Sequence, residues 1–156
     1  MNDLLREPDP RVLELIPHRP PMLLVDKLVS VDKDNSVSEI FIHEGSSFFT
    51  PEKGVPACIG LEYMGQTAAL IAGYQQQQGI ADPFLGFLLG SRKYYSTVAF
   101  FEPGLNLLVS CQQIALVGGN LANFQCTIAD KATGDELVTG TLSVLRKSLD
   151  SDLHPG

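Results

Sequence analysis

Two side chains stand out for the chemistry they could do. Glu62 is the only charged residue between Gly54 and Ala81, and Cys58, Ile59, Leu61, Met64 and Gly65 surround it in sequence. A carboxylate held among apolar neighbours loses solvation, so its proton affinity rises and it can act as an acid near neutral pH. The competing reading is a glutamate near a helix start, favoured by the helix dipole and facing water. His18 lies in the run Pro17-His18-Arg19-Pro20-Pro21. Imidazole is the usual general base at pH 7, and the prolines hold this run extended. A histidine that fixes a turn by bonding to backbone is the alternative. His43 closes an alternating segment and reads as a half-exposed strand end, and His154 lies in the polar tail. No spacing among His18, His43, Asp26 and Glu62 matches a metal site.

The residues before Glu62 add a second chemical element. A helix that starts near Ala57 and Cys58 presents unpaired N–H groups with partial positive charge, and these can hold a developing oxyanion. Water or the preceding loop would satisfy them otherwise. Cys58 reads as a small packing residue, because no base accompanies it in sequence. Phe48, Phe49, Tyr63, Phe84, Phe87, Tyr94 and Tyr95 supply aromatic surface for the core and for a slot that takes an aliphatic or aryl chain. Arg92-Lys93 is a small basic point, either a solvated strand end or a docking point for an acidic carrier.

The elements that must position these groups follow from patterning. Residues 1–8 read as a loose lead-in. Asp9-Pro10 is an N-cap followed by proline at the first helical position, opening a short helix RVLELI that ends at Pro17. MLLVDKLVSV, from Met22, reads as a strand, followed by a turn at Asp32–Asn35 and the alternating strand SVSEIFIH. Residues 45–55 read as loop and 57–78 as the one long helix. After Asp82-Pro83, four segments read as a strand meander: FLGFLLGSRKYYSTVAF, LNLLVSCQQIALV, LANFQCTIAD and ELVTGTLSVLRK. The tail 148–156 reads as frayed. One apolar helix and a single antiparallel sheet make an α+β layer arrangement. The helix is apolar nearly all round, so it needs cover on more than one side, which a wrapped sheet provides. An incompletely closed sheet has an edge to hide, and pairing in a dimer hides it.

Bulk properties bound the function. The chain has 156 residues, which fits one domain with a core of about 10–147. Hydrophobic residues make up 44% and mean hydropathy is +0.10, enough for a packed core. With 11 Lys and Arg against 18 Asp and Glu, the formal charge is −7, which a nucleic-acid backbone would repel. Three cysteines without a C-x-x-C argue against a disulfide framework or zinc ribbon and suit a reducing cytosol. The opening MNDLLREPDP has no secretory-signal pattern. The stretch from Pro56 to Tyr74 is long enough to span a bilayer, but Glu62, Gln66 and its missing Lys/Arg flanks favour a buried soluble helix.

Three segments carry a family resemblance. IPHRPPMLLVDKLV is similar to the opening signature of the 3-hydroxyacyl-acyl-carrier-protein dehydratases, which have the hot-dog fold. VPACIGLEYMGQTAALIAGY resembles that family's central helix, with its catalytic glutamate and an x-x-x-Q step at Glu62 and Gln66. FLLGSRKYYSTVAFFEPGLNLLV looks like the strand pair that follows. The likeness spans roughly residues 10–147. One departure is plain: in the general fatty-acid enzymes a histidine lies fourteen residues before the glutamate, and here that place is Phe48. The pattern resembles most the divergent dehydratase of bacterial aryl-polyene gene clusters, which works beside a second hot-dog subunit.

The resemblance implies an antiparallel sheet wrapped around one long central helix. It implies a cytoplasmic enzyme that dehydrates 3-hydroxyacyl thioesters on acyl carrier protein, with no cofactor or metal. His18, which borders the acyl tunnel in this fold, becomes the favoured base and Glu62 the acid. Backbone near Ala57 and Cys58 would hold the enolate oxygen, with Phe48 and Gln66 in the substrate site. The oligomer is expected to be a homodimer or a heterodimer with a second hot-dog subunit. A thioesterase in which Glu62 activates water, and a non-catalytic acyl-binding subunit of a heterodimer, remain as rivals.

Overall fold

The computed structural model describes residues 7–149. Asp9 caps the first helix, α1 (Pro10–Leu15), its carboxylate accepting from the Arg11 amide at 3.0 Å. Strands β1 (Lys27–Val31) and β2 (Asn35–Phe41) form a hairpin around the Asp32 turn. A two-residue strand β3 (Val55–Pro56) leads into a turn of 3-10 helix at Ala57–Ile59 and then the long helix α2 (Gly60–Gln77). The remaining strands are β4 (Phe84–Gly90), β5 (Tyr94–Ser96), β6 (Phe100–Phe101), β7 (Asn106–Val117), β8 (Leu121–Asp130) and β9 (Glu136–Ser148).

The main sheet is antiparallel throughout, in the order β1-β2-β7-β8-β9-β4, with β5 also pairing with β9 and β3 with β6 in a separate ribbon. Burial alternates along β2 and β8, as a sheet with one face on a core requires. That inner face lies on α2, and Met64, Leu70 and Ile71 are fully buried there. Full burial of a side chain this size contributes about 1.5–3 kcal/mol. Polar sutures fix the helix against β2: Ser36 Oγ donates to the Thr67 carbonyl, and the Ser38 and Thr67 hydroxyls bond each other, both at 2.7 Å. The result is an α+β hot-dog architecture, a curled antiparallel sheet around one long helix.

Four sequence expectations are corrected. The strand expected from Met22 begins only at Lys27. Met22 and Leu23 amides donate to the Arg19 carbonyl in a turn, and the Leu24 amide donates to the Gln66 side chain, so those groups are not available to a neighbouring strand. The expected long segment from Phe84 is three short strands. Gly90, at φ +142°, turns the chain in a conformation that L side chains rarely adopt, so β4 and β5 meet different stretches of β9. Only β7, β8 and β9 form a true meander; β4 crosses to the far edge beside β9. The expected helix start at residue 57 is a 3-10 turn, and the regular helix opens at Gly60, where a Cβ would stand 2.3 Å from the Tyr94 hydroxyl. No helix among the described residues is long and apolar enough to cross a membrane. The expectations for residues 1–6 of the lead-in, for most of the tail and for His154 lie outside the described residues.

Candidate active site

Small residues along α2 leave a cavity of about 230 Å³ between the helix, β4 and the end of α1. Gly65, Ala69, Ala72 and Gly73 form its helix wall, Leu88 and Val144 its sheet wall. His18, Glu62 and Gln66 all line it. His18 and Glu62, 44 positions apart in sequence, thus border one space.

The His18 segment is held from both sides. Arg19 forks onto carbonyls at and beyond the end of α1: Nη1 donates to Ile16 at 2.9 Å and to His18 at 2.7 Å, and Nη2 to Leu13 at 3.0 Å. The Leu13 and Ile16 carbonyls are acceptors that a helix end leaves unpaired. Beyond the prolines, the Gln66 amide donates to the Met22 carbonyl and accepts from the Leu24 amide, both at 2.8 Å. His18 is half-buried, and its Nδ1 is shut from solvent with no hydrogen-bond partner among the described residues. Burial lowers its pKa below the usual 6.5; the Glu62 carboxylate pulls it up and the Arg19 guanidinium pushes it down, and the net shift is downward. A neutral imidazole at pH 7 is the form that accepts a proton.

Glu62 departs from the sequence expectation of a carboxylate enclosed by apolar groups. It is exposed in this chain, at the open side of the cavity. The sheet covers the side of α2 carrying Met64, Thr67 and Ile71, whereas Glu62, Gly65, Ala69 and Ala72 border the cavity. The chain's own sheet therefore covers less of this apolar helix than its composition led us to expect.

The other expected site residues divide. The Ala57 amide donates to the Ala99 carbonyl at 2.9 Å, so it is not open to a substrate oxygen; the Ala57 carbonyl is taken by the Tyr94 hydroxyl. Cys58 is exposed and lies outside the lining of the cavity. Phe48 is also outside it, 62% exposed on a loop at φ +67°. Gln66 lines the cavity, but its amide is committed to Met22 and Leu24. Of the aromatic residues, Phe84 lines the cavity, while Tyr63 is buried beside Phe101 with ring centroids 5.9 Å apart. His43 stacks on Phe41 and accepts from the Gly45 amide through Nδ1, a turn-fixing role away from the His18 cavity.

Sequence reasoning did not pick out Arg146. It lines the same cavity, and strand periodicity could have found it: Gly140, Leu142, Val144 and Arg146 share one phase of β9.

A model of the ApeP-like family, described as ApeP dehydratase, matches residues 10–154. The chain belongs to the ApeP-like dehydratase family. Among curated relatives of this ApeP-like chain, a Brucella melitensis 3-hydroxyacyl-acyl-carrier-protein dehydratase FabZ is 28% identical over 120 residues, covering 74% of each protein. A FabZ of the same description from Agrobacterium fabrum is 33% identical over 73 residues, 44% of this chain; the match spans about half of that relative, 47% of its length. The solved structure of the dehydratase heterocomplex ApeI:P from Xenorhabdus doucetiae superposes with a TM-score of 0.80 at 22% identity, covering 91% of this chain and 94% of that one. Zebra fish thioesterase superfamily member 2 superposes at 0.62 with 14% identity, over 80% and 82% of the two chains. These structural likenesses establish the shared hot-dog fold of the ApeP-like chain and leave its chemistry to the site residues.

Proposed function

We propose that the chain dehydrates 3-hydroxyacyl thioesters carried by acyl carrier protein, with the active assembly completed by a second hot-dog subunit. One observation carries this reading: His18, with an uncommitted imidazole nitrogen, and Glu62 line a single apolar cavity. In the elimination, neutral His18 takes the α-proton of the thioester. The electron pair moves through the enolate to form the C2–C3 double bond. Glu62 delivers a proton to the departing 3-hydroxyl, which leaves as water. The Ala57 amide, bonded to Ala99, is not among the donors for the enolate oxygen.

The requirement for a second subunit rests on exposure. Glu62, the proposed acid, is exposed in this chain, and a covering surface would exclude water from it. Leu85, Phe87 and Leu89 alternate along the edge strand β4 and are all exposed, at 47%, 47% and 59%. An apolar edge of this kind is a surface for another chain. The dehydratase heterocomplex ApeI:P, which shares this fold, supports a heterodimer as that assembly. We place this activity in an aryl-polyene or fatty-acid-type pathway in the cytoplasm, and Arg92 and Lys93, both exposed, suit docking of an acidic carrier.

A second reading has its own support. Phe48 stands at the place of the general family's histidine, and it is exposed and apart from the cavity. A chain that only holds the acyl group would show this. The test is turnover of a 3-hydroxyacyl carrier-protein thioester by the purified chain, alone and with a candidate hot-dog partner, following the enoyl chromophore and free thiol separately. Enoyl product that is lost in Glu62→Gln and His18→Ala supports the dehydratase. Wild-type rates in both variants overturn these roles, and thiol release in place of enoyl product points to a thioesterase.

A further inference from the structure

The far end of the cavity holds a cation that the elimination does not use. Arg146 projects from β9 into the lining, beside Phe84 and Gln76. Its Nη2 donates at 3.0 Å to the Oε1 atoms of both Gln75 and Gln113, and its Cζ lies 4.4 Å from the centre of the Phe84 ring. Gln75 is held in turn, donating to the Lys33 carbonyl at 2.7 Å. All these fixed partners are neutral. Among the described residues no carboxylate pairs with Arg146, in contrast to Arg11, Lys33 and Lys131.

Guanidinium carries five N–H donors. The two on Nη2 are spent on the glutamines, and those on Nη1 and Nε meet no protein acceptor among the described residues. The group is half-buried, so its charge is less well hydrated than on an open surface, and its orientation is set by the two glutamines and the ring. Gln75 lies thirteen residues beyond Glu62 on α2, about 20 Å along the axis at 1.5 Å per residue. An extended chain advances about 1.2 Å per backbone bond, so a chain reacting near Glu62 brings a group well removed from its thioester to Arg146.

We propose that Arg146 recognises an oxygen acceptor, carboxylate in preference to hydroxyl, at the distal end of the acyl chain. This inference rests on the dehydratase reading and names the substrate class of that site: long 3-hydroxyacyl chains that end in an oxygen-bearing group. Phe84 and the small residues of α2 receive the apolar stem, and the free donors of Arg146 receive the terminus.

The test is calorimetric binding of acyl-pantetheine thioesters of matched length ending in methyl, hydroxyl, carboxylate or carboxylate methyl ester. Wild-type protein is expected to bind the carboxylate about tenfold more tightly than the methyl-ended chain, as one charge-assisted bond provides, with the hydroxyl between them and much of the gain lost in the ester. Arg146→Met removes the preference and Arg146→Lys keeps part of it. Equal affinity across the series in the wild type overturns the proposal, whether or not either variant folds. A wild type that binds with this preference but forms no enoyl product, alone or with a hot-dog partner, sinks the dehydratase reading alone, and turnover without the preference sinks this inference alone.

Discussion

Gln66 grips Met22 across 44 positions of sequence, its Nε2 donating to the Met22 carbonyl at 2.8 Å while its Oε1 receives the Leu24 amide. The bond pair ties the segment after His18 to the same helix that carries Glu62. Position and chemistry are thereby coupled: whatever loosens Gln66 frees the stretch of chain that follows the imidazole.

Gln66→Leu removes both bonds and leaves a carbonyl and an amide unpaired. The expected loss is about 2 kcal/mol of stability, from the desolvation of those groups. Urea unfolding measures it. Activity should fall through kcat more than through KM, because the substitution displaces His18 while the apolar wall of the cavity remains. An unchanged urea midpoint together with an unchanged kcat would remove Gln66 from this positioning role.

The electrostatic link between Glu62 and His18 can be read without turnover. The His18 imidazole should titrate below 6.5 by NMR, because burial outweighs the pull of the Glu62 carboxylate. Glu62→Gln removes that pull, so the midpoint should fall further. A midpoint that stays fixed in the variant would mean that the two groups do not interact.

The same shift makes a stability prediction with a definite sign. Above 6.5 His18 is neutral in both folded and unfolded chains and contributes no pH dependence. As pH falls through 6.5 the unfolded chain takes the proton first, so stability is lost until the lower folded pKa is passed. Urea midpoints between pH 7.5 and 5.5 should fall less in His18→Gln than in wild type. Parallel curves would contradict the lowered value.

Gly73 is where the backbone of α1 comes to rest on α2. A Cβ there would stand 1.9 Å from the Leu15 carbonyl oxygen and 2.7 Å from its carbon, both rigid backbone atoms. Gly73→Ala should push α1 away and cost about 2 kcal/mol or more, the scale of overpacking in a tight interface. Since α1 leads directly into His18, catalysis should drop with it. Gly79→Ala is the control for space, because nothing lies within 4 Å of that position, although its φ of +73° leaves some strain.

Local features of the chain were readable from residues alone, because each depends on near neighbours. The Asp9 cap, the Asp32 turn, the period-two strands β2, β7, β8 and β9 and the long helix follow from side-chain periodicity and capping chemistry. The isolated charge of Glu62 and the proline-flanked His18 were likewise visible in the one-dimensional pattern. Tertiary structure decided what those groups touch. The Ala57 amide is closed by Ala99, Gln66 serves Met22 and Leu24, β4 pairs with β9, and Arg146 meets Gln75 from 71 positions away. Periodicity records which side of an element is apolar, but it does not record which element covers that side. Glu62 shows the consequence: its apolar neighbours in sequence promised enclosure, yet the sheet packs on the other side of α2 and leaves the carboxylate at the open edge of the cavity.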